Sequence, residues 1–290
     1  MRMKFSATTE QRWLNLLKVM VIVVALFVSV GPLIYGFLLS IRPLSSVLNT
    51  PLDVIPSLDE VDFGSYPTAL RDESDGGFGM ARFMRNSFGV AAATVVLAIG
   101  SSVLGAYAAV RLQFFGRRAV NAMFLAVYLF PGIVLAVPLF VMMSRIGLTG
   151  SLFGLMLIYM AQTVPVALYM LRNYFAAVPE SVEEAAMIDG CGRMKTITKI
   201  VIPMALPGIA ATSLYVFMIA WNEYLFALLF LVQDRERWTA ALGISQLTEF
   251  SVPATVLMAG SIAITVPVVV GFFAAQRLLI SGLTSGAEKG

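Results

Sequence analysis

Six stretches of the chain are apolar over lengths that suit a bilayer: Val19–Ile41, Ser87–Val110, Ala119–Ser144, Ser151–Leu171, Met204–Val232 and Val252–Gln276. A hydrocarbon core about 30 Å thick is crossed by about 20 helical residues, so each run predicts one membrane-spanning helix. Only one charge, Glu223, falls inside any of them. The pattern therefore predicts an all-α integral membrane protein with six transmembrane helices. The first run exceeds the apolar core of a secretory signal, about 7 to 15 residues, and no A-x-A site follows it, so it reads as a retained anchor.

Proline and glycine punctuate several runs, at Pro32, Pro131, Gly132, Pro138, Pro165 and Pro267. A proline frees a backbone carbonyl that lipid cannot satisfy, so such helices usually face protein or a cavity. Transmembrane helices are richer in both residues in any case. Taken together the interruptions favour a transport path over a plain anchor.

Composition narrows the field by exclusion. With 59% hydrophobic and 13% charged residues, a water-soluble fold is ruled out. A single cysteine, Cys191, and no histidine exclude disulfide frameworks, Cys/His metal sites and histidine-dependent triads. The net charge of +3 makes no basic stripe for nucleic acid. Basic residues are instead sorted by side: with the N-terminus inside, thirteen lie on the cytoplasmic side and seven outside. The outer side also collects Asp53, Asp59, Glu60, Asp62, Asp72, Glu73 and Asp75. The positive-inside rule then puts both termini in the cytoplasm. The chain divides into residues 1–80 (N-terminal tail, first span and acidic outer loop), a five-span core at 81–277, and a cytoplasmic tail at 278–290.

The polar segment between the fourth and fifth runs, residues 172–203, carries the most specific signals. Ser181-Val182-Glu183-Glu184 has capping-box spacing, with Ser181 as N-cap and Glu184 reaching back, and Gly190 supplies a stop. A short helix is expected, faced by Ala185 and Ala186, with Glu183, Glu184 and Asp189 free to pair with a partner's basic residues. Met194, Ile197, Ile200 and Val201 follow at helical spacing, ending at Pro203 and Pro207. On these residues alone, Glu184 as a simple helix cap in an ordinary solvated loop is an equal alternative to a docking knob.

The run Glu184-Ala185-Ala186-Met187-Ile188-Asp189-Gly190, continuing to Pro203 and Pro207, resembles the EAA loop of ABC-importer permeases. Other separated motifs agree: Ser40-Ile41-Arg42-Pro43, Asn86-Ser87, Tyr107 to Phe114, and Gln276 to Gly290. The resemblance is to the maltose-type carbohydrate importer permeases, and to the smaller partner of their heterodimer. It departs at Cys191, where the family often has a small residue, and at Glu288, where an apolar residue is usual. The resemblance implies a type I ABC importer permease fold with a cytoplasmic coupling helix. It implies ATPase-coupling contacts through Glu184, Ala185, Ala186, Asp189, Gly190 and Pro203. It further implies an inner-membrane location and a complex with a second permease subunit, two ATPase subunits and an extracytoplasmic substrate-binding protein. Such a chain is not an enzyme and binds no cofactor itself; ATP and magnesium belong to the partner ATPase. No G-x-x-x-x-G-K-[ST] phosphate loop occurs in the sequence.

The intramembrane Glu223 lies in Trp221-Asn222-Glu223-Tyr224, an aromatic, amide and carboxylate set that suits sugar rings and hydroxyls. The segment resembles a Trp-Asn pattern in the fifth helix of the same permeases, and a substrate pathway is its expected role. A structural partner for an arginine, or a belt position near the outer interface, fits the same residues. The expected function is carbohydrate import by alternating access. Other ABC solutes such as glycerol phosphate or a polyol remain alternatives, as does an ion-coupled secondary transporter, although one carboxylate and no internal repeat disfavour the latter.

Overall fold

The computed structural model describes residues 7–249 and 252–287, and every regular element among them is helical. In chain order these are α1 (Ala7–Ser40), α2 (Leu44–Asn49), α3 (Ser65–Leu70), α4 (Met80–Arg111), α5 (Arg117–Leu129), α6 (Gly132–Arg145) and α7 (Leu152–Ala177). There follow α8 (Glu180–Ile188), α9 (Arg193–Thr196), α10 (Ile202–Met204), α11 (Leu206–Asn222), α12 (Leu225–Leu231), α13 (Ala240–Glu249) and α14 (Ala254–Ala287). A π-helical stretch, Ile197–Val201, joins α9 to α10.

The chain forms two compact units, and each is described by itself. In the first, Met1–Phe78 with Leu247–Ala263, a small core gathers Ala69, Val256 and Ala259, flanked by Tyr66, Phe78 and Val252. The Ser40-Ile41-Arg42-Pro43 motif organises the turn after α1. Ser40 Oγ and Tyr66 Oη lie 2.8 Å apart, and the buried Arg42 guanidinium donates to Ser46, Thr50 and the Asp53 carbonyl. One planar cation thus satisfies acceptors that a short helix end leaves open.

The second unit, Gly79–Gln246 with Ile264–Gly290, is built on α4, α7 and α11. Its core runs through Ala98, Val103, Ala106 and Tyr107 of α4, Ala167, Leu171 and Phe175 of α7, and Ile197, Val201, Ala205 and Val216 beyond. The Asn86-Ser87 pair locks the start of α4 to the segment before α13. Asn86 Nδ2 donates to the carbonyls of Glu236 and Trp238, and Ser87 Oγ accepts from the Ala240 amide.

Close packing in this unit depends on glycine at several positions, Gly154, Gly208 and Gly243 among them. A Cβ on Gly243 would sit 2.2 Å from Phe83 Cδ2, and Phe83 is 1% exposed beside Trp238, so it has no room to yield. Gly243→Ala is expected to destabilise the chain by about 1–3 kcal/mol, the usual cost of overpacking. Thermal unfolding in detergent checks this, with Gly100→Ala, which meets nothing within 4 Å, as the neutral control.

Four helical segments are long and apolar enough to cross a membrane: Gln11–Ser40, Met80–Arg111, Leu152–Ala177 and Ala254–Leu278. Arg193–Met204 with Leu206–Asn222, bent by 77°, makes a fifth if taken as one span. The third apolar run is not a single helix. It divides at Phe130-Pro131, both extended, because Pro131 lacks an N–H and pushes the residue before it out of the helical region. Its second half, Gly132–Arg145, has 14 residues, too few to cross alone. The fifth run is also divided, at Glu223-Tyr224. The last helix continues past Gln276, where the apolar run ends, to Ala287; Glu288 and the two residues after it lie outside the described residues.

Candidate functional site

The segment expected from residue 172 starts later: residues 172–177 complete α7, and the rest, to 203, folds as two helical pieces around a tight turn. The short helix expected there is α8, and Gly190 ends it in the left-handed conformation with φ +83°. The Gly190 amide donates to the Met187 carbonyl at 3.1 Å and the Cys191 amide to the Ala186 carbonyl at 2.9 Å. That is the paired bonding of a Schellman stop, which asks for glycine at this position.

The start of α8 differs from the capping box. Its N-cap is Pro179, no side chain caps it, and Ser181 lies inside the helix. Proline explains the shift: with φ near −65° already set and no N–H to place, it begins the helix two residues earlier than serine would. Glu180 and Glu183 then occupy the first turn, where negative charge is favoured by the helix dipole.

A second difference concerns which carboxylates face outward. Glu183 is 3% exposed and turned into its own unit. Its Oε1 accepts from Arg111 Nε at 2.7 Å and its Oε2 from the Tyr107 hydroxyl at 2.9 Å. Arg111 also donates through Nη2 to the carbonyls of Val178 (2.6 Å) and Phe175 (3.2 Å), and Nη1 pairs with Glu180 at 3.3 Å. Tyr107 and Arg111 are one turn apart on α4 and present their polar ends together. The i, i+4 spacing of Tyr107 and Arg111 was visible in the sequence; that Glu183 meets them is a long-range fact that spacing does not carry.

Of the expected coupling residues, Ala186 is buried under α8, whereas Glu184, Ala185, Asp189, Gly190 and Pro203 are exposed. The outer face of α8 also presents apolar groups, Val182, Met187 and Ile188, the last 86% exposed. An apolar tip rimmed by Glu184 and Asp189 has the make-up of a protein contact surface. Behind it, Ile197 and Val201 are packed into the core, while Met194, at the same helical spacing, is exposed.

The Trp221-Asn222-Glu223-Tyr224 quartet sits at the other end of α11, about 25 Å away along a 17-residue helix. Trp221 is 4% exposed, stacks on Phe217 at 5.5 Å, and donates its indole N–H to the Ile264 carbonyl at 3.2 Å. Glu223 is at the break between α11 and α12 and not within a continuous helix. Its carboxylate accepts from the amides of Phe226 (2.9 Å) and Ala227 (3.2 Å), which caps α12. The Tyr159 hydroxyl donates to its main-chain carbonyl at 3.4 Å. Asn222 is exposed and, with Trp221, Ala240, Ile244, Ile264 and Thr265, lines a cavity of about 310 Å³.

The second unit thus pairs an exposed, firmly stopped short helix, α8, with a polar break at Glu223, within an all-helical unit that carries long apolar helices. Residues 101–284 match the family described as the binding-protein-dependent transport system inner membrane component, and the chain belongs to that family. It is therefore an ABC-importer permease in the inner membrane, and catalysis is not its task. It is 40% identical to the inner membrane ABC transporter permease protein YcjP of Escherichia coli, over 73% of this chain and 76% of that one. It is 35% identical to the trehalose transport system permease protein SugB of Mycobacterium tuberculosis, over 89% and 92% of the two chains. A third relative is the trehalose/maltose transport system permease protein MalG of Thermococcus litoralis, 37% identical over 72% and 75%. The fold is similar to a chain of a bacterial alginate ABC transporter, with a TM-score of 0.68 at 17% identity, covering 93% and 94%.

Proposed function

We propose that the chain is one permease subunit of an ATP-driven carbohydrate importer and that α8 is its coupling helix. Six crossings complete the type I fold, with α5 and α6 together forming the third and both termini in the cytoplasm. The observation that carries this reading is α8 itself: an exposed apolar tip with an acidic rim, on a helix whose other face is anchored in the core. Two ATPase subunits, a second permease and an extracytoplasmic binding protein complete the assembly. ATP and magnesium are handled by the ATPase.

Carbohydrate is favoured as the substrate by the relatives' own solutes, trehalose and maltose among them. Asn222, exposed at the rim of the cavity it lines with Trp221, is the most exposed member of the quartet and the one offered to a solute; Glu223 caps α12 at the break beside it. A sugar hydroxyl suits an amide that both donates and accepts. Labelled maltose or trehalose uptake into vesicles carrying the whole complex tests this. Uptake is expected to fall on Asn222→Ala while binding-protein-stimulated ATP hydrolysis persists, and neutral sugars but not glycerol phosphate should compete. Competition by glycerol phosphate alone would assign a different solute.

A further inference from the structure

We infer that Tyr107, Arg111 and Glu183 form a latch that makes α8 move as one piece with α4 and α7, so that they are positioning residues for ATP-to-transport coupling. The inference rests on α8 being the coupling helix and adds how its movement reaches the spans.

The geometry is unusually complete for a connection of this kind. Arg111 ends α4, and its guanidinium bonds the last carbonyls of α7 and the inward carboxylate of α8 at once. Three helix ends therefore share one planar cation, whose fork cannot reorient without breaking several bonds together. Tyr107 holds the second carboxylate oxygen from the preceding turn of α4. Because Glu183 is buried, separating α8 from α4 would leave a charge without a partner in a dry site, which is far costlier than parting a surface pair. A push on the outer face of α8 is thus delivered to α4 and α7 as a rigid-body displacement. The segment on the other side of the turn is built differently: a π-helical stretch, then a 77° bend before α11, features that give way more easily.

A purely structural cluster and a latch differ in what they do to coupling. A structural loss lowers the amount of complex, and uptake and hydrolysis fall in proportion. A loosened latch lets ATP be hydrolysed without moving sugar. The test uses the complete complex in lipid with Glu183→Gln, Arg111→Lys and Tyr107→Phe, and reads ATP hydrolysed per sugar imported by the assembled complex.

Glu183→Gln and Arg111→Lys are expected to raise that ratio on the order of tenfold, with Tyr107→Phe shifting it less in the same direction. An unchanged ratio in the first two, whether or not the yield of complex falls, overturns the latch. Glu184→Arg is run in parallel, since it strikes the outer face and leaves the latch intact. If it abolishes uptake while the latch variants keep the wild-type ratio, the latch is wrong and the docking reading stands. If it leaves uptake intact, the docking reading fails and the latch falls with it.

Discussion

Arg111→Ala is expected to destabilise the chain by about 3–5 kcal/mol, the largest effect of any single substitution considered, because it strands the buried carboxylate of Glu183. The loss is not confined to one ion pair. The Val178 carbonyl loses the Arg111 donor and the Phe175 carbonyl keeps only the Val178 amide, and the acceptors at a helix terminus have few other partners. Thermal unfolding of the chain in detergent, and the amount that reaches the membrane, measure it. Replacing both partners, Arg111→Leu with Glu183→Leu, is expected to recover the part of the loss that comes from the stranded charge, since a buried pair exchanged for apolar groups costs far less than a broken one, while the Val178 carbonyl and the Tyr107 hydroxyl stay without these partners. A stability for Arg111→Ala within about 1 kcal/mol of wild type would mean the pair is solvated and behaves as a surface contact.

The second large effect is on activity. Glu184→Arg puts a cation on the exposed rim of α8, next to Ala185 and within reach of whatever the apolar tip of Ile188 enters. Glu184 makes no cap for its own helix, so the substitution leaves the fold of α8 intact. Reversing the charge at a docking rim costs several kcal/mol where a basic partner residue faces it. Uptake is expected to fall at least about tenfold, with normal amounts of the chain in the membrane. Loss of the chain itself would instead show that Glu184 has a structural duty within this subunit.

Much of the fold was legible because membranes impose a simple rule: long apolar runs become helices. The runs forming α1, α4, α7 and α14 are of this kind. What the runs conceal is where a helix breaks without leaving the apolar pattern. At Phe130-Pro131 the backbone extends although no polar residue marks the place, and at Glu223 the one charge marks a break that looked like a charge within a span. Proline was visible in both α6 and α7, yet Pro138 and Pro165 are carried inside helices whereas Pro131 ends one.

The α8 segment shows the same division between local and long-range information. Gly190 was readable as a stop because a left-handed residue after a helix selects glycine. The capping box was misleading because Pro179, a stronger signal for the first turn, stands just before it. Three carboxylates looked equally free, and only the fold separates Glu183, which faces Tyr107 and Arg111, from Glu184 and Asp189, which face out. Trp221 looked like a sugar platform, but its ring is stacked on Phe217 and its N–H is already used.

The central claim is that this chain moves solute only when an ATPase acts on it through α8. Sugar uptake into vesicles containing this chain with its partner permease, ATPase and binding protein, measured with and without ATP, tests that most directly. Uptake that requires both ATP and the binding protein, and that Glu184→Arg abolishes in an assembled complex, is the expected result. Uptake by the isolated chain down an ion gradient, with no ATPase present, would contradict the account.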